Sequence, residues 1–303
     1  MELFAPRAGQ RLCDIDALSL DASGSATIIS AVVASLGARV LLISAVGDDE
    51  LGVEWKRRVE QAGIDVNAVV AVPGQLTPIA VSTVDLSGEK TYAFYRFRGI
   101  CDPLNELRLS KALEEEVARA DVFIVTEAMI RGPGSREAVA VLLERRRQLE
   151  GGLTMLSVNY RPSAWTDAAD AVAVLSSFAN LASAVCCNQQ EYRMLAPALA
   201  KSKLVYETLG SNGVNIHAEG KSHHVPARSV PTGVVLDTGA GDVFCAAVAV
   251  ALGEGQAPHN AGEFAAAVSA LAISREGTMS AAPPRDEVEA LLASAPQSRK
   301  ETV

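Results

Sequence analysis

Short β-branched runs alternate along this chain with longer, alanine-rich segments of helical period, and that alternation leaves few folds open. Val40-Leu41-Leu42-Ile43 has no polar interruption, the pattern of a strand buried on both faces. The segment before it, residues 26–36, has helical spacing and stops at Gly37, as helices often do at glycine. Residues 51–61 read as a second helix, ending before Gly63 and preceded by the capping aspartates Asp48 and Asp49. Val122-Phe123-Ile124-Val125, a helix over 136–149, and a strand over 153–158 repeat the unit, and residues 184–187 and 204–209 add further strands. Repeated βα units predict a mainly parallel sheet between helical layers: one α/β domain over residues 1–303, with a frayed polar tail at 296–303.

One stretch breaks the rhythm. Residues 79–85 and 90–97 are strand-like runs joined by Leu86-Ser87-Gly88-Glu89, which reads as a β-hairpin. A hairpin set into a parallel α/β scaffold is a candidate lid.

The stretch richest in chemistry is Thr238-Gly239-Ala240-Gly241-Asp242, followed by an apolar helix over 243–252. Small residues permit a tight turn and close backbone approach to a ligand. The helix start adds unpaired N–H groups and the positive end of the helix dipole, an anion hole suited to phosphate oxygens. Asp242 in the first turn is placed to take a proton from an attacking hydroxyl. The same pattern also serves as an ordinary capped turn. The dinucleotide fingerprint fails because Gly239 and Gly241 are followed by Phe244 where a third glycine is needed. A Walker-like Gly220-Lys221-Ser222 lacks its first glycine, Asn215 standing there, and reads as a surface hairpin turn.

Composition narrows the partners. With 36 acidic and 27 basic residues the net charge is −9, which disfavours nucleic acid and anionic membrane. Arg145-Arg146-Arg147 inside a helix, flanked by Glu144 and Glu150, reads as a solvated face. Cys13, Cys101, Cys186, Cys187 and Cys245 have no C-x-x-C spacing, so reduced, mostly buried thiols in a cytoplasmic protein are expected. No run reaches the roughly 18–20 apolar residues of a membrane span, and the N-terminus lacks the pattern of a signal peptide.

These residues carry a resemblance. Residues 238–247 are similar to the C-terminal signature of the ribokinase-like (PfkB) carbohydrate kinases, and the likeness runs through almost the whole chain in family order. Gly24 and Leu36-Gly37 resemble the N-terminal glycine motif and its helix. Val46-Gly47-Asp48-Asp49-Glu50-Leu51-Gly52 resembles the next motif, Asn188-Gln189-Gln190-Glu191 the N-x-x-E element, and Thr208-Leu209-Gly210-Ser211-Asn212-Gly213 the nucleotide-side loop. The fold this implies is ribokinase-like α/β, a central sheet between helices with a small β lid drawn from residues 1–25 and 73–98.

The implied activity is transfer of a phosphoryl group from ATP, with Mg²⁺, to a primary hydroxyl of a small sugar. On this resemblance Asp242 is the base, and Gly239, Ala240 and Gly241 supply the anion hole. Asn188, Thr208, Gly210, Gly213 and Thr238 line the nucleotide side, and Glu191 organises magnesium through water. Gly24, Arg96, Asn159 and Arg161 meet the acceptor. Tyr92-Ala93-Phe94-Tyr95-Arg96 and the segment from Asn159 to Trp165 are similar to elements of 2-keto-3-deoxygluconate kinases and fructokinases. Two arginines suit a carboxylate, so 2-keto-3-deoxygluconate is the first acceptor expected and fructose the second. A lid-to-lid homodimer is also implied. Structural readings stand beside these: Asn188-x-x-Glu191 as a helix cap with an exposed glutamate, Arg161 in a structural ion pair, Arg96 as a solvated edge-strand residue.

The chain departs from the family pattern at definite places. The family's opening central strand, ending in a Gly-acid pair, has no counterpart before Met1-Glu2-Leu3-Phe4. A translation start placed roughly ten residues late, about a strand's length, is one explanation. Ser23-Gly24 replaces a double glycine, Ile28 an asparagine and Ser157 an aspartate; Leu236 removes an oxygen from the monovalent-cation site of some relatives. These changes keep open a second class, a degenerate member that binds a sugar or nucleotide without efficient turnover.

Overall fold

The computed structural model describes residues 1–5, 9–10, 12–85, 90–95, 108–149, 152–200, 204–229 and 239–294. In chain order the elements are β1 (Glu2–Phe4), β2 (Ser19–Asp21), α1 (Ser25–Ser35), β3 (Ser44–Gly47), α2 (Glu50–Gln61), β4 (Val69–Val72), β5 (Ile79–Val84) and β6 (Lys90–Tyr95). There follow α3 (Lys111–Arg119), β7 (Val122–Thr126), α4 (Glu127–Arg131), α5 (Pro133–Gln148), β8 (Leu153–Ser157), α6 (Ala168–Leu181), β9 (Ala184–Asn188) and α7 (Gln189–Leu199). The last are β10 (Leu204–Thr208), β11 (Val214–Ala218), β12 (Lys221–Val225), α8 (Ala240–Gly253), α9 (Pro258–Ala272) and α10 (Arg285–Ala293).

A six-stranded sheet in the order β12-β11-β10-β9-β8-β7 forms the centre. Strands β7 to β10 are parallel and β11 and β12 antiparallel. Alternate side chains feed opposite layers. Met155, Cys186 and Tyr206 pack under α1, α8 and α9, whereas Leu156, Val185, Cys187 and Val205 pack under α6 and α7. That two-sided burial is why these strands read as largely apolar runs with no polar–apolar alternation. Cys186 and Cys187, one to each face, serve as small core residues as expected, and burial holds the Cys187 thiol well above its ordinary range.

The hairpin forms in the predicted place, with Ile79 opposite Tyr95. It belongs to a second sheet of order β2-β1-β5-β6, in which β1 runs parallel to β5. Buried Glu2 ties this sheet to the turn before α1, accepting from Ser23 Oγ at 2.9 Å and Ser82 Oγ at 2.7 Å. Ser23, the residue that interrupts the double glycine, thus has a structural partner. The turn predicted at Gly220 joins β11 to β12, with Glu219 and Gly220 both left-handed (φ 51° and 75°).

Two expectations are corrected. Val40-Leu41-Leu42-Ile43 is not a strand. It makes one isolated parallel bridge, Leu41 to Asp65, and the pairing with β4 begins only at Ser44. Its side facing β7 borders a cavity, so on that side it has no ladder partner among the described residues. The arginine triplet is not uniformly solvated either. Arg146 is 2% exposed and donates to Val117 O, Ala120 O, Leu153 O and Thr154 Oγ1, at 2.5, 2.9, 3.0 and 3.3 Å. Its planar fork satisfies carbonyls at the ends of α3 and β8. Arg145 is half-buried, and only Arg147 follows the expected pattern, pairing with Glu144 in solvent.

Candidate active site

Several of the residues singled out in the sequence lie at the C-terminal ends of the parallel strands, where open α/β sheets favour ligand sites. Facing them is the start of α8. Gly239 caps that helix in the left-handed region (φ 79°), which favours glycine, and its carbonyl accepts from Val243 N–H at 2.8 Å. The amides of Ala240, Gly241 and Asp242 therefore lie in the first turn, without intrahelical acceptors and at the positive dipole end. Nothing approaches within 4 Å of where a Gly241 side chain would begin, so a ligand can reach the backbone there. Behind the turn stands Ile28, whose Cδ1 lies 3.0 Å from the position a Gly239 Cβ would take. Ile28 is 4% exposed: the residue that replaces a family asparagine is an apolar wall beside the anion hole.

Asp242 is 5% exposed, and its carboxylate is held by two side chains. Ser25 Oγ donates to Oδ1 at 2.5 Å, and Asn159 Nδ2 donates to Oδ1 at 3.2 Å and to Oδ2 at 3.4 Å. Burial pushes its pKa up to about 6, against the opposing pull of the Ser25 hydroxyl, the Arg161 charge and the Asn159 amide. Ser25 was not singled out from the sequence. The signal available was its place directly after Gly24, at the start of a helix that the glycine motif aims at the site.

Asn159 reaches Asp242 from a left-handed backbone (φ 37°) in the loop after β8. That loop is fixed at the next residue, where Tyr160 N–H donates to Glu191 Oε1 at 2.7 Å. The other oxygen of Glu191 accepts from Asn188 N–H at 2.8 Å, while Asn188 Oδ1 accepts from Glu191 N–H at 2.9 Å. This is a complete capping box at the start of α7. The helix-cap reading of Asn188 and Glu191 is thus correct in geometry, but Glu191 is not exposed, at 5%. Burial raises its pKa, with the backbone bonds from Asn188 and Tyr160 and the Arg161 charge acting in the opposite sense. Arg161 itself is exposed and enters no ion pair among the described residues. Its charge is nevertheless felt at both Asp242 and Glu191. Glu127, also buried, holds the next part of the loop through Trp165 Nε1 at 2.5 Å, and is paired with Arg131. This glutamate was not noticed in the sequence either, since nothing local marks it.

Thr208 lies beside Asn188 in register on the neighbouring strand, and its hydroxyl donates to Cys187 O at 3.3 Å. The loop beyond turns through Gly210 (φ 59°) and Gly213 (φ 98°) into β11. A Cβ on Gly213 would fall 2.1 Å from Val225 O, so that glycine is fixed by packing as well as by dihedral. Asp242, Gly239, Ala240, Gly241, Asn159, Arg161 and Gly24 therefore gather at one point, and Asn188 and Glu191 join them through Tyr160. Thr208, Gly210 and Gly213 stand one strand further on. Thr238 and Arg96 lie outside the described residues.

The motif at 46–52 has a structural task. Asp49 caps α2 through Gly52 N–H at 2.8 Å and binds Thr77 through its hydroxyl at 2.6 Å and its amide at 2.9 Å. Burial acts to raise its pKa, but these donors outweigh it and hold the carboxyl below the usual range. The motif locks α2 to the base of the hairpin.

The family profile described as pfkB family carbohydrate kinase matches residues 7–285. The chain is 27% identical over 284 residues to a fructokinase of Klebsiella pneumoniae, covering 88% of this chain and 90% of that protein. It is 23% identical over 288 residues to a 5-dehydro-2-deoxygluconokinase of Listeria monocytogenes, covering 90% and 86%. Among solved structures, a putative ribokinase II from E. coli in complex with ATP and Mg²⁺ superposes with a TM-score of 0.84 at 23% identity, covering 96% of this chain and 95% of that one. This likeness shows the ribokinase-like α/β fold, and the family's members are phosphotransferases with an alcohol group as acceptor. No helix of the described residues is long and apolar enough to cross a membrane. With 279 of its residues under one family profile, the chain belongs to the pfkB family of carbohydrate kinases.

Proposed function

We propose that this protein transfers the γ-phosphoryl group of ATP to a primary hydroxyl of a small sugar or sugar acid, 2-keto-3-deoxygluconate first and fructose second. The observation that carries the reading is Asp242: a buried carboxylate at the glycine-capped start of α8, held by Ser25 and Asn159, with a pKa of about 6. At pH 7 such a group is mostly ionised, yet basic enough to accept a proton. As the acceptor oxygen bonds to the γ-phosphorus, its proton passes to Asp242, and the bond to the β,γ-bridging oxygen breaks to leave ADP. The amides of Ala240 and Gly241 meet the charge on the equatorial oxygens. Thr208, Gly210, Gly213, Asn188 and Thr238 are assigned to the nucleotide side.

Magnesium, when bound, offsets charge on the phosphates. The donor set fits an ion that keeps its water: both Glu191 oxygens already accept backbone N–H groups, leaving lone pairs for a metal-bound water but no free carboxylate arm. A nearby cation would also favour the ionised form that burial opposes at Glu191. A sugar acid is preferred because Arg161 is an exposed cation whose field reaches Asp242. Arg96, next in sequence after β6, is assigned as its partner. The Listeria relative is named for a keto-deoxy sugar acid, which agrees with this choice.

The test is a panel of ketoses and keto-deoxy sugar acids with ATP and Mg²⁺, run on the wild type and on Arg161→Ala. The expected outcome is turnover led by 2-keto-3-deoxygluconate, with KM for the acid raised roughly tenfold or more in the variant. Equal KM values for acid and ketose in both proteins would overturn the acid preference. Binding without phosphorylation of any acceptor, by a folded protein, would overturn the kinase reading in favour of a ligand-binding relative.

A further inference from the structure

The segment that leads from β2 into α1 is pinned at every other residue. Asp21, buried, accepts from Thr278 N–H and from Ser280 Oγ–H, both at 3.0 Å. Ser23 Oγ donates to Glu2 Oε2 at 2.9 Å. Ser25 Oγ donates to Asp242 Oδ1 at 2.5 Å, and Asn159 Nδ2 donates to the same hydroxyl oxygen at 3.5 Å. The first and last pins join the segment to the C-terminal loop and to α8. The middle one joins it to the sheet that carries the hairpin.

The start of α1 needs such outside support. Its N-cap is Gly24, which has no side chain to offer the first-turn amides and stands at φ 121°. A serine or aspartate cap would fix the helix start locally; a glycine leaves it free to swing. Glu2 supplies the restraint from β1. It is 1% exposed, and its two oxygens serve two different elements: Oε2 takes Ser23, and Oε1 takes Ser82 Oγ of the hairpin strand β5 at 2.7 Å. Thr27 Oγ1, in the first turn of α1, donates back to Ser23 O at 3.3 Å, so a shift of Ser23 carries the helix start with it. A carboxyl buried this deeply is costly unless donors meet its oxygens, and a serine at 23 supplies one where glycine supplies none. The charged groups around the two carboxyls are Arg161, whose field reaches Asp242, and Asp21, the cross-strand partner of Glu2.

We infer that Glu2 is a positioning residue for phosphotransfer: through Ser23 it fixes the turn at Gly24 and so holds the Ser25 hydroxyl on Asp242, tying that contact to the place of the hairpin. Glu2 acts through the two serines and not on the reacting atoms. Its effect on turnover rests on the reading of Asp242 as the base, whereas its effect on the Ser25 contact is measurable at Asp242 itself.

The experiment follows the titration of Asp242 by carbon-13 NMR of aspartate-labelled protein, beside kcat. The variants are Glu2→Ala, Ser23→Ala, Glu2→Gln, Ser25→Ala, and Glu2→Ala combined with Ser25→Ala; Asp242→Asn identifies the resonance and tests the base. Weakening the Ser25 bond disfavours the ionised carboxylate, so Glu2→Ala and Ser23→Ala are each expected to raise the Asp242 midpoint by about half a pH unit or more and to lower kcat roughly tenfold. In the Ser25→Ala background, Glu2→Ala is expected to move the midpoint no further, because the route runs through Ser25. Glu2→Gln keeps an oxygen for one serine and an amide N–H for the other's Oγ, and is expected to restore both midpoint and kcat. Ser23→Ala removes one hydroxyl from a half-buried position, so it carries the test should Glu2→Ala fail to fold. Unmoved midpoints in the folded variants, or an equal shift when Ser25 is absent, would overturn the inference. Shifted midpoints with unchanged kcat, where Asp242→Asn abolishes turnover, would overturn it as well. Undiminished turnover in Asp242→Asn would overturn the base reading alone, and the midpoints would still decide whether Glu2 holds Ser25 in place.

Discussion

Replacing Asp242 by asparagine separates catalysis from stability, because the two respond in opposite directions. The carboxylate is 5% exposed and its pKa is about 6, raised from 3.8. The folded protein therefore holds this proton more tightly than the unfolded chain. Between pH 4 and pH 6 the native state binds more protons, so stability falls as pH rises through that window and is level above it. Roughly two pKa units at about 1.4 kcal/mol each make the ionised group a cost of about 3 kcal/mol at pH 8. Asp242→Asn removes that charge while keeping shape and an oxygen for Ser25 Oγ–H. The variant is expected to unfold at a higher temperature than wild type at pH 8, by several degrees at roughly 2–4 °C per kcal/mol. Its advantage is expected to shrink by roughly half at pH 5, where wild type is already largely protonated. Turnover falls by about 10²–10⁴, the range for a general base, with nucleotide affinity retained. Urea or thermal unfolding at the two pH values, beside steady-state kinetics, makes the comparison. A variant less stable than wild type at pH 8, or one with undiminished turnover, refutes the reasoning.

The wild-type log kcat/KM against pH should bend downward below about pH 6, the value at which Asp242 protonates. Ser25→Ala removes the 2.5 Å donor that favours the ionised carboxylate, so that bend should move to higher pH; an unmoved bend would place Ser25 outside the base's environment. In Glu191→Gln the side-chain NH₂ must face a backbone N–H of either Tyr160 or Asn188, which loosens the loop carrying Asn159. A fall in kcat of about tenfold or more, larger than any change in Tm would account for, is expected from activity normalised to folded protein. Arg146→Met leaves four oxygens without their donor and should cost roughly 3 kcal/mol, read from urea unfolding, with kcat unchanged in the folded fraction.

The sequence alone determined the layered fold. Unbroken runs such as Ala184–Cys187 can be strands only if both faces are covered, and the helical spacing between them supplies the covers. It also marked the glycine-capped start of α8, because a left-handed glycine before an apolar helix is a matter of local backbone geometry. Tertiary structure decided everything that depends on residues far apart in the chain. Ser25 meets Asp242 across 217 positions, and Glu191 steadies a loop 31 residues away, so no local pattern marks either contact. Arg146 sits in a charged triplet and is buried only because the last turn of α3 and the start of β8 converge on it. The run 40–43 carries the strand pattern but has, among the described residues, no ladder neighbour on one side, and a strand is a property of paired edges. Periodicity fixes which faces are apolar; the packed molecule fixes what those faces meet.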